Sequence, residues 1–152
     1  MSRKDKEITE EKIIHEILDK AKICRLGLCQ KDMPYVIPVC FVYKENTLYI
    51  HSAKEGMKID ILHQNNNVCF EVDTNIELIK SDQPCDNSMK YQSVIGFGKA
   101  FFIESFTEKK KSLDILMNKY MGKGNFEYSE KAINNICIIK ICVDSITGKH
   151  SI

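Results

Sequence analysis

The chain has 152 residues, 22 of them basic and 21 acidic, and a formal net charge of +1. This balance argues against a partner that is nucleic acid or an anionic membrane, and the length fits one domain over residues 1–152. The charged opening segment lacks the apolar run of a signal peptide, and no apolar stretch approaches the ~20 residues of a membrane span, so we expect a cytoplasmic protein.

The seven cysteines include no C-x-x-C pair, so the sequence predicts neither a metal site nor a disulfide framework. Cys85 lies in a polar loop, whereas the other six lie inside apolar, strand-like runs and are expected to be buried, reduced thiols. These six are Cys24, Cys29, Cys40, Cys69, Cys137 and Cys142. Reduced thiols in this number agree with a reducing compartment.

The first half of the chain predicts one helix followed by strands. An apolar stripe at helical spacing indicates a helix near 9–20, with Thr9 as its N-cap. Alternating apolar residues and turn signals then predict three strands joined by short turns. These strands cover 22–30, 35–43 and 47–52.

The second half begins with a change of period after Gly56. The predicted elements are a short helix over 57–64, strands over 67–73, 76–80 and about 91–104, a helix that starts at Ser105, and a strand over 135–145. Ser105 and Glu108 form an S-x-x-E capping box for the last helix, and the lysines at 109–111 are interpreted as its solvated face. The final strand is apolar on both faces and is expected to be central.

Hairpin connections dominate this order of elements. Gly96 and Gly98 interrupt a long strand, which predicts a bulge, sharp coiling or the close approach of another group. Six or seven strands with three helices indicate a mainly β fold, an antiparallel barrel with peripheral helices.

The most informative segment for chemistry is 51–58, HSAKEGMK. It combines a strand end, a glycine-containing loop and a helix start, where free backbone N–H groups and the helix dipole favour an anion. Lys58 adds a positive charge suited to a phosphate. The alternative interpretation is structural, with Ser52 capping the helix, Glu55 as its capping-box partner and Lys58 solvated.

A second segment, PYVIPVCF at 34–41, places Pro38 inside a predicted strand. Proline removes a ladder donor, so this strand belongs at a sheet edge or at a bulge. Neighbouring backbone groups would then be free to meet the edge of a flat ligand. The alternative is an ordinary edge proline that discourages aggregation.

Several motifs in series carry a resemblance to a known family. They are PYVIPVCF, HSAKEGMK, CFEVD at 69–73 and C-x-x-x-M-K-Y-x-S-V-I-G-F-G-K-A at 85–100. Over roughly 3–149 the chain resembles the FMN-binding split-barrel proteins related to pyridoxamine 5′-phosphate oxidase, and among them the nitroimidazole-resistance-like subgroup. Met57 and Gln92 depart from it, because arginine is common at both positions, and their presence lowers the positive charge near the expected phosphate.

The resemblance implies a split β-barrel homodimer with FMN at the subunit interface. Lys58 and the loop at 52–57 would meet the phosphate, and the flavin edge would follow the backbone around Ile37. His51 would lie near the flavin and act in catalysis as a proton donor, the alternative being a packed strand-end histidine. The implied cofactor-binding residues are Val36, Ile37, Pro38, Val39, His51, Ser52, Ala53, Met57, Lys58, Tyr91 and Ser93.

The function that the resemblance implies is an FMN-dependent reductase of a small electron acceptor, such as a nitroaromatic of the 5-nitroimidazole type. No G-x-G-x-x-G follows a strand and opens a helix, so no nicotinamide site is identified. The alternative function is a non-catalytic dimer that binds flavin or haem without turnover.

Overall fold

Eight antiparallel strands form one sheet in the computed structural model, which describes residues 4–151. Their bounds are β1 Glu7–Ile8, β2 Cys24–Gln30, β3 Met33–Val39, β4 Val42–Lys44, β5 Thr47–Ser52, β6 Asn67–Ile79, β7 Ser88–Ile103 and β8 Cys137–Ser151. The strand order is β3-β2-β6-β7-β8-β5-β4, and β1 pairs with β8. Because β3 and β4 end this order, the sheet remains open, as in a split barrel. The predicted mainly β, antiparallel fold is confirmed.

Four α-helices lie between residues 4 and 151, together with short 3-10 turns at Lys4–Lys6 and Pro84–Asp86. The helices are α1 Glu11–Lys20, α2 Met57–Gln64, α3 Phe106–Met121 and α4 Glu130–Asn135. The sequence prediction therefore missed α4 and the two-residue strand β1. Over this same part of the chain, no helix is both long and apolar enough to cross a bilayer. Residues 1–3 and 152, which the one-domain prediction included, lie outside the described residues.

The helix caps test two local predictions. Thr9 as the first N-cap is wrong, because α1 begins after Glu10, whose side chain makes no capping hydrogen bond. Ser105 is confirmed as the cap of α3, since its Oγ accepts a hydrogen bond from the Glu108 N–H at 3.4 Å. The predicted apolar stripe of α1 faces the core, with Ile14, Ile17, Leu18 and Ala21 buried.

The predicted strand over 35–43 is divided in two by a contact with α3. Tyr120 accepts a hydrogen bond from the Phe41 N–H at 2.8 Å, and its hydroxyl lies 3.0 Å from the Phe41 carbonyl oxygen. This side chain therefore occupies the backbone groups that a continuous strand would pair. The strand ends at Val39 as β3, and β4 restarts at Val42.

Two predicted strands are longer in the structure. The strands expected over 67–73 and 76–80 form the single strand β6, with a register irregularity next to Asn75, whose φ is 54°. The last strand extends to Ser151 rather than 145, because β8 pairs with β7 along nearly its whole length. Its central position, between β7 and β5, is as predicted.

Glycines in β7 allow the close approach that the sequence predicted. A Cβ atom at Gly96 would lie 2.2 Å from the ring of the fully buried Phe70 on β6. At Gly98 it would lie 2.2 Å from the carbonyl oxygen of Cys142, and the register between β7 and β8 shifts beside this residue. The core of the sheet is therefore packed against the backbone of β7 itself.

All seven cysteines are free thiols, but their burial differs from the expectation. Cys24 is buried, and Cys29, Cys40, Cys69 and Cys137 are half-buried. Cys142 is exposed, contrary to the prediction, because strand alternation turns its neighbour Ile141 into the core.

One face of the sheet, which we call the outer sheet face, carries large apolar side chains in contact with solvent. Val36 on β3 and Phe97 on β7 lie in one cross-strand row and are 64% and 54% exposed. Ile95 on β7 is also exposed. Arg25 and Glu71, which form an ion pair at 3.1 Å, occupy the next row. An exposed apolar surface of this kind marks an interaction site.

Candidate functional site

An open cleft of about 360 Å³, here called the α2 cleft, lies where β3, β5 and the start of α2 meet. It is lined by Tyr35, Ile37, His51, Ser52, Ala53, Glu55, Gly56, Met57 and Lys58. The structure therefore brings together six of the eleven cofactor-binding residues that the sequence predicted. They come from two chain segments, β3 and the corner that leads from β5 into α2.

The first turn of α2 has free capacity for an anion. Gly56 is the N-cap residue with φ 123°, a backbone conformation that only glycine adopts readily, and no side chain caps the helix. The Ile59 N–H bonds to the Gly56 carbonyl oxygen at 2.8 Å, whereas the N–H groups of Met57 and Lys58 have no acceptor among residues 4–151 and lie at the positive end of the helix dipole.

Lys58 lies in this first turn and is half-buried. Its ammonium forms no hydrogen bond or ion pair with any of residues 4–151. Burial lowers its pKa below the ordinary value of a lysine. A cation that is partly desolvated and has no partner among these residues favours the binding of an anion. This observation supports a phosphate contact over the alternative of a solvated Lys58.

Ser52 does not cap α2. It is the last residue of β5, where it pairs with Cys137 of β8, and the helix starts five residues later. The capping-box interpretation of Ser52 with Glu55 is therefore wrong. His51, which pairs with Ile138, is exposed at the cleft, so the alternative of a packed strand-end histidine is not supported.

The predicted residues of β3 divide between two surfaces because side chains alternate along a strand. Ile37 lines the α2 cleft, whereas Val36 and Pro38 are exposed on the opposite side of the strand. Val39 is buried in the core, so its side chain has no access to a ligand. β3 is an edge strand, as Pro38 predicted.

Tyr91 lies in a separate cleft of about 620 Å³, here called the β6–β7 cleft, and Ser93 lies on the same strand close to it. Besides Tyr91, the β6–β7 cleft is lined by Asn75, Ile76, Glu77, Lys90, Gln92, His150 and Ser151. Ser93 pairs with Lys149 of β8, whereas Ser52 pairs with Cys137. At about 3.3 Å per residue, these two points are about 40 Å apart along β8. One chain therefore does not bring Tyr91 and Ser93 to Lys58.

Two residues of the α2 cleft, and the surroundings of one lysine on α3, were not predicted from the sequence. Tyr35 and Glu55 line the cleft, although the motifs that contain them were recognised. Lys109 was interpreted as solvated, but it is half-buried and donates a hydrogen bond to the carbonyl oxygen of Ile136 at 3.1 Å. A run of three lysines on a helix gave no signal that one of them turns inward.

The donor set fits a flavin mononucleotide. An uncapped helix N-terminus and an unpaired lysine suit its phosphate, and the edge strand β3 offers backbone groups to the polar rim of a flat ring system. Among residues 4–151 we find no group of three histidine, cysteine or carboxylate side chains placed to hold a metal ion.

Comparison with known proteins gives relatives over most of the chain. The chain is similar to a candidate 5-nitroimidazole antibiotic resistance protein of Bacteroides thetaiotaomicron, with 39% identity, a TM-score of 0.85, and coverage of 95% of this chain and 86% of that one. A curated protein of Rhizobium meliloti, described as uncharacterised, is 34% identical over 50 residues, a match that spans 33% of this chain and 32% of that protein.

Two further solved structures share the fold at lower identity. They are a flavocytochrome of Azotobacter vinelandii, with 17% identity and a TM-score of 0.87 over 100% of this chain and 72% of that one, and an FAD- and haem-binding protein of Mycobacterium smegmatis, with 18% identity and a TM-score of 0.87 over 96% and 73%. A family model described as pyridoxamine 5′-phosphate oxidase matches residues 10–150. The chain belongs to the pyridoxamine 5′-phosphate oxidase family, as the resemblance of its motifs predicted.

Proposed function

We propose that this protein binds FMN as a homodimer and reduces a small electron acceptor of the nitroaromatic type, such as a 5-nitroimidazole. The observation that carries the proposal is the half-buried Lys58, which has no polar partner in the described part of the chain, at the uncapped start of α2 and in one cleft with His51. The similarity to a candidate 5-nitroimidazole antibiotic resistance protein supports the choice of acceptor.

When bound, FMN would supply the electron-transfer chemistry, and the protein would bind and orient it. Lys58 and the backbone N–H groups that follow Gly56 would hold the phosphate. Ser52 and Ala53 would line its approach, and the edge of β3 at Ile37 would meet the ring. Met57, which is 61% exposed, covers the outside of this corner without adding charge.

His51 would act as the proton donor of the reaction. Its side chain is exposed at the cleft, where an acceptor could reach it from solvent. An imidazole is suited to deliver protons near neutral pH, and the reduction of a nitro group consumes protons as well as electrons.

A second copy of the chain would complete the site. Tyr91 and Ser93 are too far from Lys58 in one chain to touch the same flavin. Pairing two copies through the outer sheet face would cover Val36, Ile95 and Phe97 and would let the β6–β7 cleft of one copy serve the cofactor of the other. In this proposal the protein works in the cytoplasm, where seven free thiols remain reduced.

The test is the spectrum and the turnover of the purified protein. We expect a yellow protein that releases FMN on denaturation, is bleached by dithionite and is reoxidised anaerobically by a 5-nitroimidazole. Bleaching without reoxidation by any acceptor would favour the non-catalytic flavin binder, and a Soret band would favour the haem binder. A colourless protein that takes up no added FMN would contradict the proposal.

A further inference from the structure

A smaller cleft of about 220 Å³ adjoins the α2 cleft, and we call it the α2–α3 cleft. It lies between α2, the end of β7 and the start of α3. The lining residues that matter for its chemistry are Lys54, His63, Phe102, Glu104, Lys109 and Cys137. Of these, Lys54 belongs to the loop at 52–57 that the sequence predicted to meet the flavin phosphate, and the other five lie outside the predicted flavin site.

Two rings form an aromatic surface in this cleft. The centroids of the His63 and Phe102 rings are 4.5 Å apart, and their planes are inclined by 32°. His63 is exposed and Phe102 is half-buried, so part of this pair faces solvent. An exposed pair of nearly stacked rings is a surface on which a nucleobase stacks.

Polar groups of complementary chemistry surround the rings. Lys54 is exposed in the loop before α2, and the half-buried Lys109 is held in place by its hydrogen bond to the Ile136 carbonyl oxygen at 3.1 Å. The carboxylate of Glu104 is exposed beside them. Lysines suit a phosphate, and a carboxylate suits the two hydroxyls of a ribose.

The two clefts meet at Cys137. This β8 residue pairs with Ser52 of β5, which lines the α2 cleft, while Cys137 itself lines the α2–α3 cleft. Burial raises the pKa of this thiol, and positive charges from both clefts act in the opposite direction. Those charges belong to Lys109, Lys58 and Lys54. The Glu104 carboxylate acts on this pKa in the same direction as burial. A chain of phosphates that started at Lys58 would therefore meet Lys54 and Lys109 on its way into the second cleft, with Glu104 left to face the ribose.

We propose that the α2–α3 cleft binds the adenylate portion of a redox dinucleotide. The base would stack on His63 and Phe102, the ribose would meet Glu104, and the phosphate would meet Lys54 and Lys109. The inference rests on the proposed function in one respect, since the α2 cleft must hold a flavin, which is either the redox-active half of FAD or the group that a nicotinamide dinucleotide would reduce. Adenylate is common to FAD and to the nicotinamide dinucleotides, and the experiment separates these sources.

The experiment measures the binding of FMN, FAD, NADH and 5′-AMP to the full-length protein, freed of copurified ligand, by isothermal titration calorimetry. We expect 5′-AMP to bind and FAD or NADH to show a contribution from its adenylate half. His63→Ala and Phe102→Leu should each weaken that contribution by about tenfold and leave the affinity for FMN unchanged. His15→Ala is the matched control, because His15 is also an exposed helix histidine packed on an aromatic ring, that of Tyr43.

The outcomes separate this inference from the proposed function. If the two substitutions weaken the binding of FAD, the cleft belongs to the cofactor site. If they weaken the binding of NADH, it belongs to the site of the electron donor. Binding of 5′-AMP without any flavin binding would support the cleft and contradict the proposed function. If 5′-AMP does not bind, or if His63→Ala weakens FMN and FAD equally, the inference is wrong while the flavin site stands.

Discussion

The α2 cleft and the β6–β7 cleft lie at opposite ends of β8, and they differ in what they offer a ligand. The α2 cleft combines an uncapped helix start with Lys58, which forms no hydrogen bond or ion pair within residues 4–151. The β6–β7 cleft is larger, and its charged lining residues Lys90 and Glu77 are cross-strand partners on β7 and β6 rather than residues of a helix start. In the proposed function the first cleft holds the phosphate, and the second contacts the cofactor of the other copy. Residues from the motifs of one family can thus lie in two separate clefts of one chain. In the proposed dimer, a second copy would bring the two clefts together.

The largest expected effect comes from disrupting the proposed dimer, which would bring the two clefts together. Phe97→Asp places a charge in the centre of the outer sheet face, and we expect loss of both the dimer and detectable FMN binding. Sedimentation velocity and flavin absorbance measure the two effects. Met121→Asp is the control, because Met121 is 73% exposed but lies at the end of α3. A Phe97→Asp protein that remained dimeric would exclude this face as the interface.

A second substitution tests the chemistry of the α2 cleft alone. His51→Ala should leave FMN bound and slow the anaerobic reoxidation of the reduced protein by a 5-nitroimidazole by about 10²-fold, because the proton donor is lost. Stopped-flow absorbance measures the rate. His51→Gln keeps a polar side chain but no titratable group, so it should be as slow. Normal rates in both variants would show that His51 has no catalytic part.

A third substitution tests the anion contact. Lys58→Ala should weaken FMN binding by about 1–3 kcal/mol through the loss of a charge-assisted hydrogen bond. Fluorescence quenching of added FMN measures the affinity. Lys58→Arg should retain much of the affinity, and Lys123→Ala, in an exposed loop, should change nothing. An unchanged affinity in Lys58→Ala would remove this residue from the site.

The smallest expected signal is the most specific for a shared site. Lys58→Ala and Tyr91→Ala proteins, each impaired in a different cleft, are mixed and allowed to exchange subunits. Half of the dimers are then mixed, and each has one site with both clefts intact, so about a quarter of all sites should regain full FMN affinity. No recovery despite exchange, measured with differently tagged subunits, would mean that the two clefts do not serve one cofactor.

Local patterns predicted the elements whose stability is local. Val68, Phe70 and Val72 alternate along β6 and are buried in the core, as expected. Ser105 caps α3, also as expected. The corner at 51–58 was also recognised, because a strand end, a glycine and a helix start are adjacent in sequence. The family resemblance added the order of these parts.

What the sequence could not provide depends on contacts between distant segments. The break between β3 and β4 requires Tyr120 to reach Phe41 from α3, and no pattern within 35–43 signals it. The extension of β8 to Ser151 depends on the length of β7 beside it. The separation of Tyr91 from Lys58 follows from strand register, which hydrophobic alternation alone leaves open.

The positive φ of Gly56 bears on how this protein tolerates sequence change. The donors that follow it belong to the main chain, and mutation of side chains cannot delete them. In the proposed function, an arginine at position 57 would add a charge to a contact that the backbone can make without it. Met57 would then affect the strength of that contact and not its existence, whereas replacement of Gly56 would strain the backbone that positions these donors.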